Sequence, residues 1–290
     1  MDKVTAIADG TLRVEISTRG AELQSLRRAD AEVEYLWQGD PALWGRRAPI
    51  LFPIVGRLRG DRYLVAGREY RLPQHGFARE RLFSLHDETD TAVTMELCES
   101  EETRAHYPFA FRLAVSYALR ATSLVQRLEV ANPNDRPLPF SVGLHPAFRC
   151  PLLADESLED YSIEFEVAET ADRYPVVDGL VARHGEPCLR SQSSLPLRPE
   201  LFQRGAVVFR ELQSRRVRLV GPGGLGVEIA FADFPYFAIW SKPGAAFVCL
   251  EPWCGIADPP DASGHIEDKE GIVLLPSGAT FAREMLISPL

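Results

Sequence analysis

Two stretches of the sequence place a proton-transfer residue among apolar neighbours. His145 lies in 142-VGLHPAFRCP-151, and Glu251 ends the apolar run of 247-FVCLEPWCGIAD-258. A carboxylate in such surroundings is costly to bury without a partner, and burial raises its pKa. A raised pKa suits a general base that works near neutral pH, and histidine is the side chain most often used as an acid or a base. The two residue types therefore indicate acid–base chemistry.

Two further stretches carry polar groups beside apolar segments. His75 and Arg79 flank a turn in 73-PQHGFARE-80, and Arg57 and Arg59 close the apolar run of 49-PILFPIVGRLRG-60. Each has a structural alternative, because a histidine before glycine is often a turn residue and arginines can pair with nearby carboxylates. From the residues alone, catalytic and structural roles both stay open.

The composition limits the classes of partner. The 290 residues carry 32 basic and 41 acidic side chains, a net charge of -9, which opposes the phosphate attraction on which nucleic-acid binders depend. The first ten residues lack an apolar leader region, and no run approaches the roughly 18 apolar residues of a membrane span. Five cysteines without a C-x-x-C pair favour reduced thiols and no metal centre. We expect a cytoplasmic protein.

Most of the chain alternates apolar and polar residues with a period of two, which predicts half-buried strands. These segments are residues 12–17, 92–98, 111–120, 123–130, 161–167, 216–220, 226–231, 236–241, 246–251 and 279–288. The 22 prolines and 21 glycines disfavour long helices, and only residues 100–108 and 40–45 have a short helical pattern. The sequence predicts one all-β domain over residues 1–290, a large antiparallel β-sandwich.

The four stretches together resemble the aldose 1-epimerase (galactose mutarotase-like) family, and within it the bacterial LacX-type branch. The motifs HGFAR, GLHPAF and LEPWCGIAD are specific in combination. Further similar segments follow in matching order: 20-GAELQSL-26, 35-YLWQGDPALW-44, 236-YFAIWSKPG-244 and 269-KEGIVLLPSG-278. The resemblance implies a β-supersandwich and an isomerase that interconverts the α and β anomers of a sugar without a cofactor or metal.

The resemblance also implies roles for individual residues. By position in their motifs, His145 is similar to the family's general acid at the ring oxygen, and Glu251 to its general base at the anomeric hydroxyl. His75 is similar to a second active-site histidine, and Arg57 falls where the family often keeps a substrate-binding arginine. Relatives of this branch usually carry aspartate where this chain has Gly205, which puts the identity of the sugar in doubt.

Arg79 and Trp253 complete the expected sugar site. Arg79 could bind a substrate, and the indole of Trp253 could cover a pyranose ring, although a packed core tryptophan is the alternative. The function expected is mutarotation of a free aldose by a monomer or homodimer. A hexose-6-phosphate mutarotase and a non-catalytic carbohydrate-binding protein of the same fold are the two alternatives.

Overall fold

The computed structural model of the chain describes residues 2–31 and 33–290, and these residues form 24 strands, one α-helix and six 3-10 helices. The strands are β1 (Val4–Ala8), β2 (Leu12–Ser17), β3 (Glu22–Arg28), β4 (Ile50–Leu51), β5 (Arg62–Val65), β6 (Arg68–Arg71), β7 (Ser84–Glu88), β8 (Ala92–Cys98), β9 (Arg112–Arg120), β10 (Ser123–Ala131), β11 (Leu138–Phe140), β12 (Val142–Leu144), β13 (Ala147–Arg149), β14 (Ser162–Arg173), β15 (Val176–Val177), β16 (Leu180–Val181), β17 (Glu186–Pro196), β18 (Val207–Phe209), β19 (Arg216–Val220), β20 (Gly226–Ala230), β21 (Tyr236–Trp240), β22 (Phe247–Cys254), β23 (Val273–Leu275) and β24 (Thr280–Pro289). The α-helix α1 spans Glu101–His106, and the 3-10 helices span Arg59–Asp61, Ala78–Glu80, Leu158–Asp160, Pro199–Phe202, Pro222–Gly224 and Ile266–Asp268.

The largest sheet has nine strands in the order β17-β14-β19-β20-β24-β10-β9-β8-β7, and all of its pairs are antiparallel. Along its long central strands, inward-facing and outward-facing side chains alternate, and the apolar ones that face inward, such as Val115 and Leu128, are buried. Charged side chains occupy the other face, where Arg112 bonds Glu96 at 2.6 Å and Glu129 at 2.8 Å. The alternation of the sequence therefore separates a buried face from a charged one.

A second sheet of six strands carries the residues of the expected site. Its order is β18-β21-β22-β12-β4, with β13 also paired to β22. Along β22, Val248 and Leu250 belong to the main hydrophobic core, which also contains residues of the nine-stranded sheet. Because side chains alternate across a strand, Cys249 and Glu251 point to the opposite face. The strand thus anchors one face in the core and presents its other face to the site.

The expected fold class is confirmed, since the chain is almost entirely antiparallel β structure. The predicted helix at 100–108 is present as α1, whose first turn is capped reciprocally by Ser100 and Thr103. The short helical pattern at 40–45 is wrong: Asp40 accepts hydrogen bonds from the next residues and closes a single turn. Among the described residues, no helix is long and apolar enough to cross a membrane.

Candidate active site

A cleft of about 290 Å³ opens over the outward face of the six-stranded sheet. Its polar lining residues are Gln74, His75, Arg79, His145 and Glu251. Its apolar lining residues include Val176, Val181, Ala206, Val208, Ile256 and Ala257. This combination of an apolar surface with a few convergent polar groups is typical of small-molecule sites.

His145 and Glu251 meet in this cleft because two neighbouring strands carry them. Glu251 lies on β22, which pairs with β12, and His145 follows β12 where the strand ends before Pro146. The Nε2 atom of His145 lies 3.1 Å from Oε2 of Glu251. Oε2 nevertheless has no aligned hydrogen-bond donor within residues 2–31 and 33–290. The two groups are therefore close together while each keeps hydrogen-bonding capacity toward a ligand.

Burial shifts the pKa values of this pair toward their neutral forms. The carboxyl group of Glu251 is almost fully buried, and desolvation raises its pKa well above the usual value, opposed by the indole of Trp253. Desolvation lowers the pKa of His145 to about 3, and the positive charges of Arg79 and Arg46 add to this effect. Because a low-dielectric site penalises separated charges, a carboxylic acid beside a neutral imidazole is favoured over a carboxylate beside an imidazolium.

His75 is fixed by two hydrogen bonds to one residue. The N–H of Gly56 donates to Nδ1 of His75 at 3.1 Å, and the N–H of His75 donates to the carbonyl of Gly56 at 2.8 Å. Since Nδ1 accepts, the neutral ring carries its proton on Nε2 and can donate a hydrogen bond there. Burial lowers the pKa of His75 well below its ordinary value, with smaller contributions from His145 and Arg79. The ring is thus a preorganised neutral donor.

Backbone geometry explains why the motif around His75 contains glycine. Both His75 and Gly76 have positive φ angles, 66° and 70°. A Cβ atom at Gly76 would lie 2.3 Å from the carbonyl oxygen of Phe52, which leaves no room for a side chain. Glycine at position 76 therefore lets the turn pack against the segment after β4, which brings His75 into the cleft.

The two arginines of the expected site have different surroundings. Arg79 lines the cleft, donates from Nη2 to the carbonyl of Gln74 at 2.7 Å, and has a pKa lowered to about 10 by burial and by Arg46. Arg57 is not among the residues that line the cleft. Its guanidinium makes two 2.8 Å hydrogen bonds to Asp61. The structure therefore brings Arg79 into the same cleft as His145 and Glu251, and Arg57 is paired with Asp61 outside the cleft lining.

Three tryptophan side chains, those of Trp44, Trp240 and Trp253, line the cleft. Trp253 is buried and lines the cleft, and Gly143 on the adjacent strand leaves room for its indole, since a Cβ there would lie 2.7 Å from the ring. Trp44 stacks on His145 with ring centroids 5.1 Å apart, and Trp240 meets the same imidazole edge-on at 5.8 Å. Sequence reasoning gave no role to Trp44 or Trp240, although both lie in segments that matched the family.

One group of potential metal ligands lies at the same place. His145, Cys249 and Glu251 each offer one ligand atom, and these atoms lie within 4.8 Å of one another. Cys249 is fully buried and desolvation raises its pKa well above the usual value, so the free thiol keeps its proton. His145 and Glu251 thus have a third potential ligand close to them.

Comparison with known proteins adds the family. Residues 2–288 match the family described as aldose 1-epimerase. The chain belongs to the aldose 1-epimerase family. Membership supports a mutarotase-like sugar epimerase, an isomerase-type enzyme. The expected resemblance to the LacX branch is confirmed as well: the chain is 35% identical to the plasmid-encoded LacX protein of Lactococcus lactis over 269 residues, 89% of this chain and 90% of that protein.

Solved structures of aldose 1-epimerase relatives share the whole fold. A galactose mutarotase related enzyme from Lactobacillus acidophilus has 36% identity and a TM-score of 0.94, covering 100% of this chain and 97% of that chain. A galactose mutarotase-like protein from Lactobacillus casei has 32% identity and a TM-score of 0.91, covering 99% of both chains. The supersandwich expected for an aldose 1-epimerase is therefore present over the full length of the chain.

Proposed function

We propose that the protein interconverts the α and β anomers of a free aldose, with His145 and Glu251 as the acid–base pair. The observation that carries this proposal is their 3.1 Å separation inside a single cleft, with both side chains buried. The hydroxyl oxygen and the ring oxygen of a hemiacetal are bonded to the same carbon. Two proton-transfer groups in contact with each other can therefore each reach one of these oxygens.

The proton transfers balance within the pair. With the ring closed, the Glu251 carboxylate takes the proton of the C1 hydroxyl, the C1–O bond to the ring oxygen breaks, and His145 gives its Nε2 proton to that oxygen. The pair changes from carboxylate and imidazolium to carboxylic acid and neutral imidazole. After rotation about C1–C2, the reverse transfers close the ring on the other face. No proton is gained or lost over the cycle.

Burial favours the state of the pair that follows ring opening. Desolvation raises the pKa of Glu251 and lowers that of His145, so the neutral pair that exists after ring opening is stabilised relative to the ion pair. His75 contributes a fixed hydrogen bond from Nε2 because Gly56 occupies its other nitrogen. In this proposal His75 orients the sugar, while His145 and Glu251 exchange protons with it.

The charges around the cleft favour a neutral sugar. Arg57, Arg59 and Arg79 are the arginines of the two sequence motifs, and of these only Arg79 lines the cleft. Nε of Arg79 lies 3.9 Å from Glu80, a carboxylate that also pairs with Arg46, so part of the charge of both guanidinium groups is balanced. A phosphorylated sugar is the second candidate, because the partly buried guanidinium of Arg79 has a lowered pKa that an anion would raise.

Polarimetry on freshly dissolved single anomers tests the proposal. We expect faster equilibration of at least one α-aldose and the same rate in the presence of EDTA. If the rate equals the spontaneous rate for hexoses, pentoses and their phosphates, the result would instead favour a non-catalytic binding protein. A kcat/KM at least tenfold higher for glucose 6-phosphate than for glucose, declining with added salt, would favour the phosphate ester.

A further inference from the structure

The strand that supplies Glu251 also supplies a thiol to the same face. Cys249 precedes Glu251 by two residues on β22, so both side chains point toward the cleft side of the sheet. Cys249 is fully buried and packs with Ala147 and Phe247 beneath Trp44 and Trp240. The proposed proton transfers make no use of this thiol.

The geometry of the three side chains suits a small cation. A ligand nitrogen of His145, Sγ of Cys249 and a carboxylate oxygen of Glu251 lie within 4.8 Å of one another. Some point therefore lies within about 2.8 Å (4.8/√3) of all three atoms. Zinc binds such atoms at about 2.0–2.3 Å, so each side chain would need to move by at most about 0.8 Å.

The ligand types and charges also suit a thiophilic divalent cation. Imidazole, thiolate and carboxylate are all established zinc ligands. One divalent cation with one thiolate, one carboxylate and a neutral imidazole has no net charge, which favours its burial. Independently, Oε2 of Glu251, in a residue only 1% exposed, has no aligned donor among the described residues. A cation would satisfy this oxygen.

We propose that His145, Cys249 and Glu251 form a site for a thiophilic divalent cation such as Zn²⁺, and that the bound cation blocks the acid–base pair. Binding releases two protons to solvent, one from the S–H bond of Cys249 as the S–metal bond forms and one from the carboxylic acid of Glu251 as its oxygen binds the metal. The cation enters through the cleft, which His145 and Glu251 line. The block rests on the proposed mutarotase function, whereas the binding site does not.

The binding site is tested first by absorbance, with Co²⁺ as the probe. The intact protein should develop a thiolate-to-cobalt charge-transfer band that Zn²⁺ abolishes by competition. Cys249→Ala should lose this band and bind Zn²⁺ at least about tenfold more weakly. Cys188→Ala is the matched control, because Cys188 lies on β17 of the nine-stranded sheet, and it should titrate like the intact protein.

A Co²⁺ titration of the intact protein without the charge-transfer band overturns the site. An unchanged band in Cys249→Ala overturns it as well. If Cys249→Ala does not fold, His145→Ala replaces it: the site requires weaker Co²⁺ binding in that variant, and equal binding contradicts the proposal. These absorbance readouts hold whether or not the protein is a mutarotase.

The proposed block of the acid–base pair by the cation is tested by measuring the rate of mutarotation. Zn²⁺ should inhibit mutarotation by the intact protein and by Cys188→Ala, while Cys249→Ala should stay active and need at least about tenfold more Zn²⁺ for the same inhibition. Equal Zn²⁺ sensitivity of the two variants would overturn the block. If the Co²⁺ band is present but no sugar is equilibrated, the proposed function has failed and the site has not.

Discussion

Replacing Glu251 by glutamine removes a proton acceptor while keeping the shape of the side chain. In the folded chain the carboxyl group is 1% exposed and sits 3.1 Å from Nε2 of His145. The amide fills the same space, yet it cannot take a proton from a C1 hydroxyl. We therefore expect Glu251→Gln to bind the sugar with little change in affinity and to lose turnover.

The size of the loss follows from the role of the carboxylate. Removal of a general base typically costs about 10²- to 10⁴-fold in rate, which corresponds to about 2.7–5.4 kcal/mol of transition-state stabilisation. The free energy of unfolding of Glu251→Gln should instead rise. Because burial raises its pKa, Glu251 keeps its proton in the folded chain at pH values above its ordinary pKa of 4.5 and loses it on unfolding, so folding becomes less favourable as pH rises from 4.5 toward the raised pKa. The glutamine variant lacks this loss.

Polarimetry with the spontaneous rate subtracted measures the first effect, and denaturant unfolding measures the second. Glu169→Gln is the matched control, since Glu169 is also 1% exposed but accepts hydrogen bonds from the backbone N–H groups of Gln213 and Ser214. It should lose about 1–3 kcal/mol of unfolding free energy and keep its turnover. Near-normal turnover in Glu251→Gln would refute the assignment of the base.

The other predictions concern the second histidine and a buried ion pair. His145→Asn should lose about 10²-fold or more in kcat, whereas His75→Asn should lose about tenfold, because His75 only donates a hydrogen bond. Asp258→Ala should cost about 3–5 kcal/mol of unfolding free energy, since it leaves Lys269 buried without its carboxylate 3.0 Å away. In the double variant Asp258→Ala/Lys269→Met, most of that loss should be recovered. Steady-state kinetics and urea unfolding measure these effects.

These predictions have separate controls. A larger kcat loss in His75→Asn than in His145→Asn would mean that the two histidines have exchanged roles. For the ion pair, Asp261→Ala is the comparison, because Asp261 pairs with Arg183 at side chains that are 66% and 53% exposed. Its loss should stay within about 0.5 kcal/mol. Equal losses in Asp258→Ala and Asp261→Ala would contradict the role of burial.

Sequence alternation predicted the buried strands well and the exposed ones poorly. The predicted strand at 12–17 matches β2, and the segment at 123–130 matches β10 (Ser123–Ala131) within one residue. The edge strand β17 (Glu186–Pro196) was not predicted, because most of its side chains are exposed and its sequence has no apolar face. Its extended conformation comes from pairing with β14, which local sequence does not encode.

The sequence predicted which residues form the candidate site, but it predicted only some of the contacts among them. His75, His145 and Glu251 came from motifs, and strand pairing across more than 100 residues then brings the last two together. Arg57 was ambiguous, since its motif also offered Asp61 four residues later, and the structure contains that pair. The stacking of Trp44 on His145 joins segments more than 100 residues apart, so no local pattern predicted it.

The distribution of tryptophan gives the protein an intrinsic optical reporter. The sequence has four tryptophans, of which Trp44, Trp240 and Trp253 line the cleft, while Trp37 donates a hydrogen bond to the carbonyl of Trp44. Every fluorophore of this type is therefore in the cleft wall or directly bonded to it. A sugar or a metal ion that enters the cleft changes the surroundings of nearly all the emitting indoles at once, without background from a distant tryptophan. Occupancy can thus be followed by emission, with no attached label.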